Sequence, residues 1–436
     1  MLFNGAHRIL ADVSNGYAIQ GLLQGDLRAL GEDVLAETGR GNKRACPLKP
    51  LIVIWLVVAM ALYRNLSIPN VFRRLLHWVK EVEPRLGRHP VTPEALCHAR
   101  QRLRARPLKL LFRATVERCL GPVLATFHGL REWVLDGSEF TVADTPANEA
   151  VFGRHYSQRG EGAYPQMRGV FLTAIATHQI YDACFMPCSS GEQAALPYLL
   201  RNLGPEDLVL IDRGLGSFEF FLQCRKQGIH YVARLSATWK PKVLKRLAKG
   251  DTLVELRPCS VARKKLRGED KEARIVARLL EFRVGDGESV RLLTDLLDPM
   301  EFSALELAGE YHARWECELT YKELKIELLA VTDGKQKTHF RSKTPIGVLQ
   351  EAWGALLAHV LVRQLMAEGA RGAKVPPLEL SFVESLEVIK LALPDLQTAT
   401  RKHLPGLRAR LIEEIGQCRI DRPRRKLAYP RKVKRR

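Results

Sequence analysis

Two short apolar runs, each ended by an acid, constrain this chain more than any other feature. Trp133-Val134-Leu135-Asp136-Gly137-Ser138 reads as a short buried strand closing on a carboxylate and a turn. Leu208-Val209-Leu210-Ile211 is a second apolar strand, followed by Asp212, Arg213 and Gly214. Between and after them, Arg168–Thr177 and Gln179–Pro187 read as two β-rich runs joined by a tight turn at His178. Ser217–Gln227 reads as a helix capped by Gly228, with His230–Leu235 and Val290–Leu296 as further strands. Strands that are first adjacent and then alternate with helices predict an α/β fold, a mixed sheet flanked by helices.

Other segments flank this sheet. Apolar positions recur at helical spacing in Tyr17–Leu30 and again from Leu51, and Thr92-Pro93-Glu94 is a helix start with Pro in the first turn. It opens the basic helix Glu94–Arg106, which carries Arg100, Arg102, Arg104 and Arg106 and could lie on DNA or simply in solvent. Between Lys240 and Arg274 twelve Lys and Arg stand against five acids, in short β-prone pieces that read as an inserted, cationic module. Thr344–Met366 is apolar on more than one face and reads as a core helix; Glu384–Leu391 and His403–Ile415 follow as helices. Arg419–Arg436 has ten Lys and Arg and one Asp, a tail suited to a phosphate backbone. The expected division is residues 1–125 as a helical DNA-binding domain, 126–237 and 290–370 as two parts of a catalytic core, 238–289 as a β-rich insertion, and 371–436 as C-terminal helices and basic tail.

Charge narrows the partners. Among 436 residues, 68 Lys and Arg outnumber 48 Asp and Glu, for a formal charge of +20. Such an excess suits a polyanion, nucleic acid before an acidic membrane surface. Leu51–Leu62 is apolar, but its twelve residues are too few for a bilayer, which needs about twenty. The reading is a buried helix in a cytoplasmic protein with no membrane partner. Nine scattered cysteines, of which only Cys184 and Cys188 are close, read as reduced thiols rather than a metal site.

Tyr311–Lys325, YHARWECELTYKELK, has no Pro or Gly and predicts a helix. At about 100° per residue, Tyr311, Arg314, Glu318, Lys322 and Lys325 share roughly a quarter of its circumference. The plain reading is a solvated face with ion pairs four residues apart. The two strand-end acids suggest more, because side chains beyond strand ends gather in open α/β sheets. With Glu318 they would form three hard oxygen donors, suited to Mg²⁺ or Mn²⁺. Two such ions about 3.5–4 Å apart serve in-line phosphoryl displacement.

The spacing Tyr311, Arg314, Glu318, Lys325 resembles the Y-R-E-K signature of DDE transposases of the insertion-sequence-four type. Asp136 to Arg154, DGSEFTVADTPANEAVFGR, is similar to that family's first acidic block, and LVLIDRG, with Asp212, to its second. The Leu51–Arg64 helix and Ala99–Leu103 also look like the family's N-terminal stretch. The resemblance implies an RNase H-like fold with Asp136, Asp212 and Glu318 as the catalytic, metal-binding triad over a two-metal site. It implies phosphate or DNA contacts from Tyr311, Arg314, Lys322 and Lys325, and base stacking by Trp315, whose alternative is core packing. It implies a DNA-bound homodimer acting on terminal inverted repeats and target DNA. The rivals are an RNase H-like nuclease without strand transfer and an inactive DNA-binding derivative. Asp144 and Asn148 read as turn residues, and His312 and Glu316 as surface residues.

Overall fold

The computed structural model describes residues 27–41, 46–82, 86, 91–119, 125–157, 160–283, 289–330, 338–399 and 402–420. Residues 17–26 of the Tyr17–Leu30 periodicity and residues 421–436 of the basic tail lie outside them. Helices come first: α1 (Leu27–Glu37), α2 (Pro50–Leu62), α3 (Ile68–Val82), α4 (Pro93–Leu103) and α5 (Arg106–Cys119). Thr92 caps α4 by accepting from the Ala95 N–H, and Pro stands in the first turn of α2 and of α4, where its missing N–H is not needed.

The sheet follows, from β1 (Ala125–Phe127) and β2 (Leu130–Thr141), through α6 (Pro146–Phe152), to β3 (Arg154–Ser157), β4 (Gly160–Ala174) and β5 (Ile180–Pro187). After α7 (Leu196–Leu199) come β6 (Asp207–Ile211), α8 (Phe218–Gln227) and β7 (His230–Arg234). In β5-β4-β2-β6-β7 the first two joints are antiparallel and the last two parallel, the RNase H-like order. Side chains alternate between two cores: Val134, Leu208 and Leu210 on one face, Leu135, Val209 and Ile211 on the other.

Strands of the cationic insertion extend this sheet. β8 (Lys242–Ala248), β9 (Asp251–Leu256), α9 (Ser260–Lys265), β10 (Ile275–Arg283) and β11 (Ser289–Thr294) continue it, with β11 antiparallel to β7. Then come α10 (Ala304–Ala313), α11 (Glu316–Lys322), a π turn (Glu323–Leu328), α12 (Pro345–Ala373), α13 (Phe382–Thr398) and α14 (Leu404–Gln417).

Among the described residues α12 is the one helix long and apolar enough to cross a membrane, but 83% of that stretch is buried inside the protein. It is a core helix, packed against α2. At Gly354 an added Cβ would stand 2.7 Å from a Val57 methyl and 2.9 Å from the Val57 carbonyl oxygen, so glycine permits the crossing. Polar groups fix the same seam. Buried Arg64 donates to the Leu329 and His339 carbonyls and to Glu351, at 2.8, 2.5 and 3.2 Å. Arg100, on the helix read as lying on DNA or in solvent, is instead buried and donates to Ser342 Oγ and the Gly347 carbonyl. Its helix turns one face to the first turn of α12 and to Ser342 just before it, which supply those acceptors, and leaves Arg102 and Arg104 exposed.

Candidate active site

β2 and β6 run parallel with Leu135 opposite Ile211, so Asp136 and Asp212 are the next residues along neighbouring strands. β6 ends there. β2 does not: the strand expected to stop at Asp136 runs on to Thr141 because fifteen-residue β4 keeps pairing with it, placing Phe171 opposite Asp136. Asp136 therefore sits where β2 loses its neighbour on one side and keeps it on the other.

The signature segment is irregular, not one regular helix. The N–H groups of Arg314, Trp315, Cys317 and Glu318 each bond the carbonyl three residues back, which tightens the turn between α10 and α11. Beyond α11 the backbone widens into the π turn. Both irregularities shift residues out of the face that a uniform 100° step predicts.

The tightened turn carries two signature residues onto the strand acids. Arg314, 5% exposed, donates from Nη1 to Asp136 Oδ2 at 3.0 Å, and the Tyr311 hydroxyl donates to Asp212 Oδ1 at 3.3 Å. The guanidinium also lies 5.8 Å from the Tyr311 ring centroid. Burial pushes the Asp136 carboxyl above its ordinary range and Asp212's charge adds to this, while Arg314 and the Gly137 N–H pull it back. Burial likewise pushes the Tyr311 phenol up to about 12, keeping it a neutral donor.

The other predicted residues differ in exposure. Glu318 and Lys322 on α11 are exposed, and Trp315 is 43% exposed, so it is not packed into the core. Lys325 is half-buried, its ammonium 5.0 Å from the Phe140 ring centroid; burial lowers its pKa and Glu139's charge partly restores it. Asn148 donates to the nearby Ala143 carbonyl and to the Ser342 carbonyl 194 residues on, tying its turn to the segment before α12, while Asp144 pairs with Arg154. Glu316, expected at the surface, bonds the buried His178 ring at 2.8 Å.

One further acid stands at the site without any signal in the sequence. The Glu192 carboxylate fills the space beside Gly137, where an added Cβ would stand 2.3 Å from Oε1. Burial raises its pKa, and the charges of Asp136, Glu139 and Asp212 raise it further against Arg168.

The donors at this site are hard carboxylate oxygens crowded enough to favour a cation, which fits Mg²⁺ or Mn²⁺ at Asp136 and Asp212. Among the described residues no three His, Cys, Asp or Glu side chains stand together as an ion's ligands, so the fit is to this pair.

Residues 27–113 match the family model for the insertion element 4 transposase N-terminal region, and residues 128–361 match the transposase DDE domain. Transposase InsG for insertion sequence element IS4, from Escherichia coli strain K12, is 33% identical over 412 residues, covering 92% of this chain and 89% of that protein. Among solved structures, the piggyBac transposase synaptic complex with hairpin DNA covers 93% of this chain and 85% of its own, at 10% identity and a TM-score of 0.45. The class is thus a DDE transposase, a DNA-cleaving enzyme that acts in transposition. Within that class the chain belongs to the insertion element 4 family.

Proposed function

We propose that the protein binds the terminal inverted repeats of a mobile element, cleaves the element's ends, and joins the resulting 3′-hydroxyls to target DNA. The observation that carries this reading is the seating of Arg314 and Tyr311 on Asp136 and Asp212, two acids at adjacent parallel strands. Asp136 and Asp212 would hold the divalent ions, with Glu318 as the third acid of the set. Such ions would supply Lewis-acid stabilisation of the charge that develops in phosphoryl displacement. Water and a 3′-hydroxyl are equivalent attackers at such a site, so one set of carboxylates serves cutting and joining.

The remaining residues bind and orient. Arg314 keeps Asp136 directed and offers its other N–H groups to a phosphate; Tyr311 keeps Asp212 directed with its single hydroxyl proton, which can swing to a phosphate oxygen instead. Lys325 neutralises phosphate from a partly dry position, Lys322 from the open face of α11, and Trp315 stacks an unpaired base. Arg102, Arg104 and the helices before residue 125 supply affinity for double-stranded DNA, as does the basic tail. Cutting one end while holding the other calls for a homodimer on DNA, working in the cytoplasm at the nucleoid.

The test is a transfer assay with a pre-cut, 3′-hydroxyl-ended repeat, target DNA and Mn²⁺, run with wild type and Asp212→Asn. Joined product from wild type alone supports the proposal. Hydrolysis without joining would make the protein a nuclease, and binding with neither reaction would make it an inactive derivative.

A further inference from the structure

The signature helix departs from α geometry at two points, and one buried imidazole is tied to both. Glu316 directly follows the tightened turn, and Glu323 opens the π turn. His178 Nε2 lies 2.8 Å from Glu316 Oε2, and Arg363 Nη2 lies 2.9 Å from His178 Nδ1 while also pairing with Glu323. A guanidinium only donates, so Nδ1 accepts and Nε2 carries the proton given to Glu316. His359 Nε2, 3.0 Å from Glu323 Oε2, and Arg363 Nε, at 3.0 Å, complete the cluster from α12. Burial alone would raise the Glu323 carboxyl, yet Arg363 and His359 hold it well below the ordinary range.

His178 is fully buried in the β4–β5 turn with φ of 57°, the left-handed region. That backbone disfavours most side chains by about 1–2 kcal/mol, with His, Asn and Asp among those that adopt it. The strain persists where surroundings over-determine it, and it marks a candidate functional constraint. β4 descends from this turn beside β2 and sets Phe171 opposite Asp136. The strand pair that places the first acid therefore also presents the imidazole.

Leu324 and Leu328 already bury an apolar face of the segment, and apolar packing holds it down without fixing its rotation. Directional bonds at two points, 316 and 323, fix both rotation and slide. We infer that His178 is a positioning residue for the reaction: together with Arg363 it sets the signature helix against the β4 frame, and so sets Arg314 and Lys325 relative to Asp136 and Asp212. This rests on the function proposed above.

The experiment compares wild type, His178→Asn, Glu316→Ala and Glu316→Gln for thermal unfolding, affinity for repeat DNA, and Mn²⁺-dependent cleavage at saturating DNA. Asn suits the left-handed turn but cannot bond both neighbours. The expected result for folded His178→Asn is DNA affinity within about twofold of wild type and cleavage lower by about tenfold or more, since misplacement by about 1 Å costs at least that. Glu316→Ala falls similarly, whereas Glu316→Gln, whose amide oxygen still accepts from Nε2–H, stays within about twofold. If His178→Asn does not fold, the Glu316 pair decides. Wild-type-like cleavage by folded His178→Asn, or equal cleavage by Glu316→Ala and Glu316→Gln, overturns the inference alone. A wild type that never cleaves removes the underlying function, and this inference with it.

Discussion

Arg314 and Asp136, 178 residues apart in the chain, form an ion pair at 3.0 Å with only 7% and 20% of their side chains exposed. It ties the signature helix to the central strand at the point where that strand loses its neighbour β6. Removing the guanidinium leaves Asp136 half-buried beside Asp212 with a single N–H for support. Arg314→Ala is therefore expected to lose about 1–3 kcal/mol of stability, the cost of orphaning a buried charged partner. Cleavage should fall by about 10²-fold or more as phosphate and carboxylate lose their common support. Arg314→Lys should regain part of the stability and little of the activity, because an ammonium lacks the planar fork. Thermal denaturation beside Mn²⁺-dependent cleavage checks all three expectations.

Glu318→Gln should separate chemistry from folding. The side chain is exposed, so stability should change by no more than about 0.5 kcal/mol. Affinity for repeat DNA should persist while cleavage collapses, because an amide cannot serve as the anionic third acid. Normal cleavage by a folded Glu318→Gln protein would identify α11 as a surface ion-pair helix.

Glu310 on α10 makes stability depend on pH. Burial, together with the neighbouring carboxyl of Glu132 on β2, pushes its pKa from 4.5 to about 8. The folded state thus keeps a proton that the unfolded chain releases near pH 4.5. The stabilisation is complete below that pH and is lost as pH rises towards about 8. Glu310→Gln should flatten this slope and melt above wild type at pH 8.5. Melting curves at pH 5, 7 and 8.5 check the sign; parallel curves for the two proteins would refute it.

Gly354→Ala sets helix propensity against packing. Alanine gains about 1 kcal/mol in an exposed helix. Here its Cβ meets the Val57 carbonyl oxygen, backbone that cannot swing aside as a side chain would. Overpacking of about 1–3 kcal/mol should win, lowering the melting temperature. Chemical denaturation measures the loss.

Much of the sheet was legible because its evidence is local. Runs such as Leu208–Ile211 declare a buried strand, and the residue after each run declares an acid at its end. What stayed hidden depends on partners distant in sequence. β2 outlasts Asp136 because β4 pairs with Ser138 through Thr141, which the residues of β2 alone do not reveal. Tyr311–Lys325 contains no breaker, and its backbone stays in the right-handed region through the turn at Arg314 and Trp315. Its irregularities involve His178 and Arg363, 145 and 40 residues from Glu323. The Arg100 helix shows the same limit: charge counting marks it basic, but only acceptors near residue 342 explain why one arginine turns inward. Glu192 stands between a Gly and a Gln with no periodicity, so only the sheet brings it to Gly137.

The seam at Arg64, Arg100 and Glu351 bears on how such a protein can change over generations. Family models divide the chain between residues 113 and 128, yet α2 and α4 lean on α12, far beyond that division. A recombinant that inherited its first 120 or so residues from one relative and the rest from another would join two halves of a single interior. Exchange at that point is therefore penalised in folding before it is tested in recognition. New specificities should arise by substitution within a lineage, with each change in the helical half accepted or refused by the half that holds the acids.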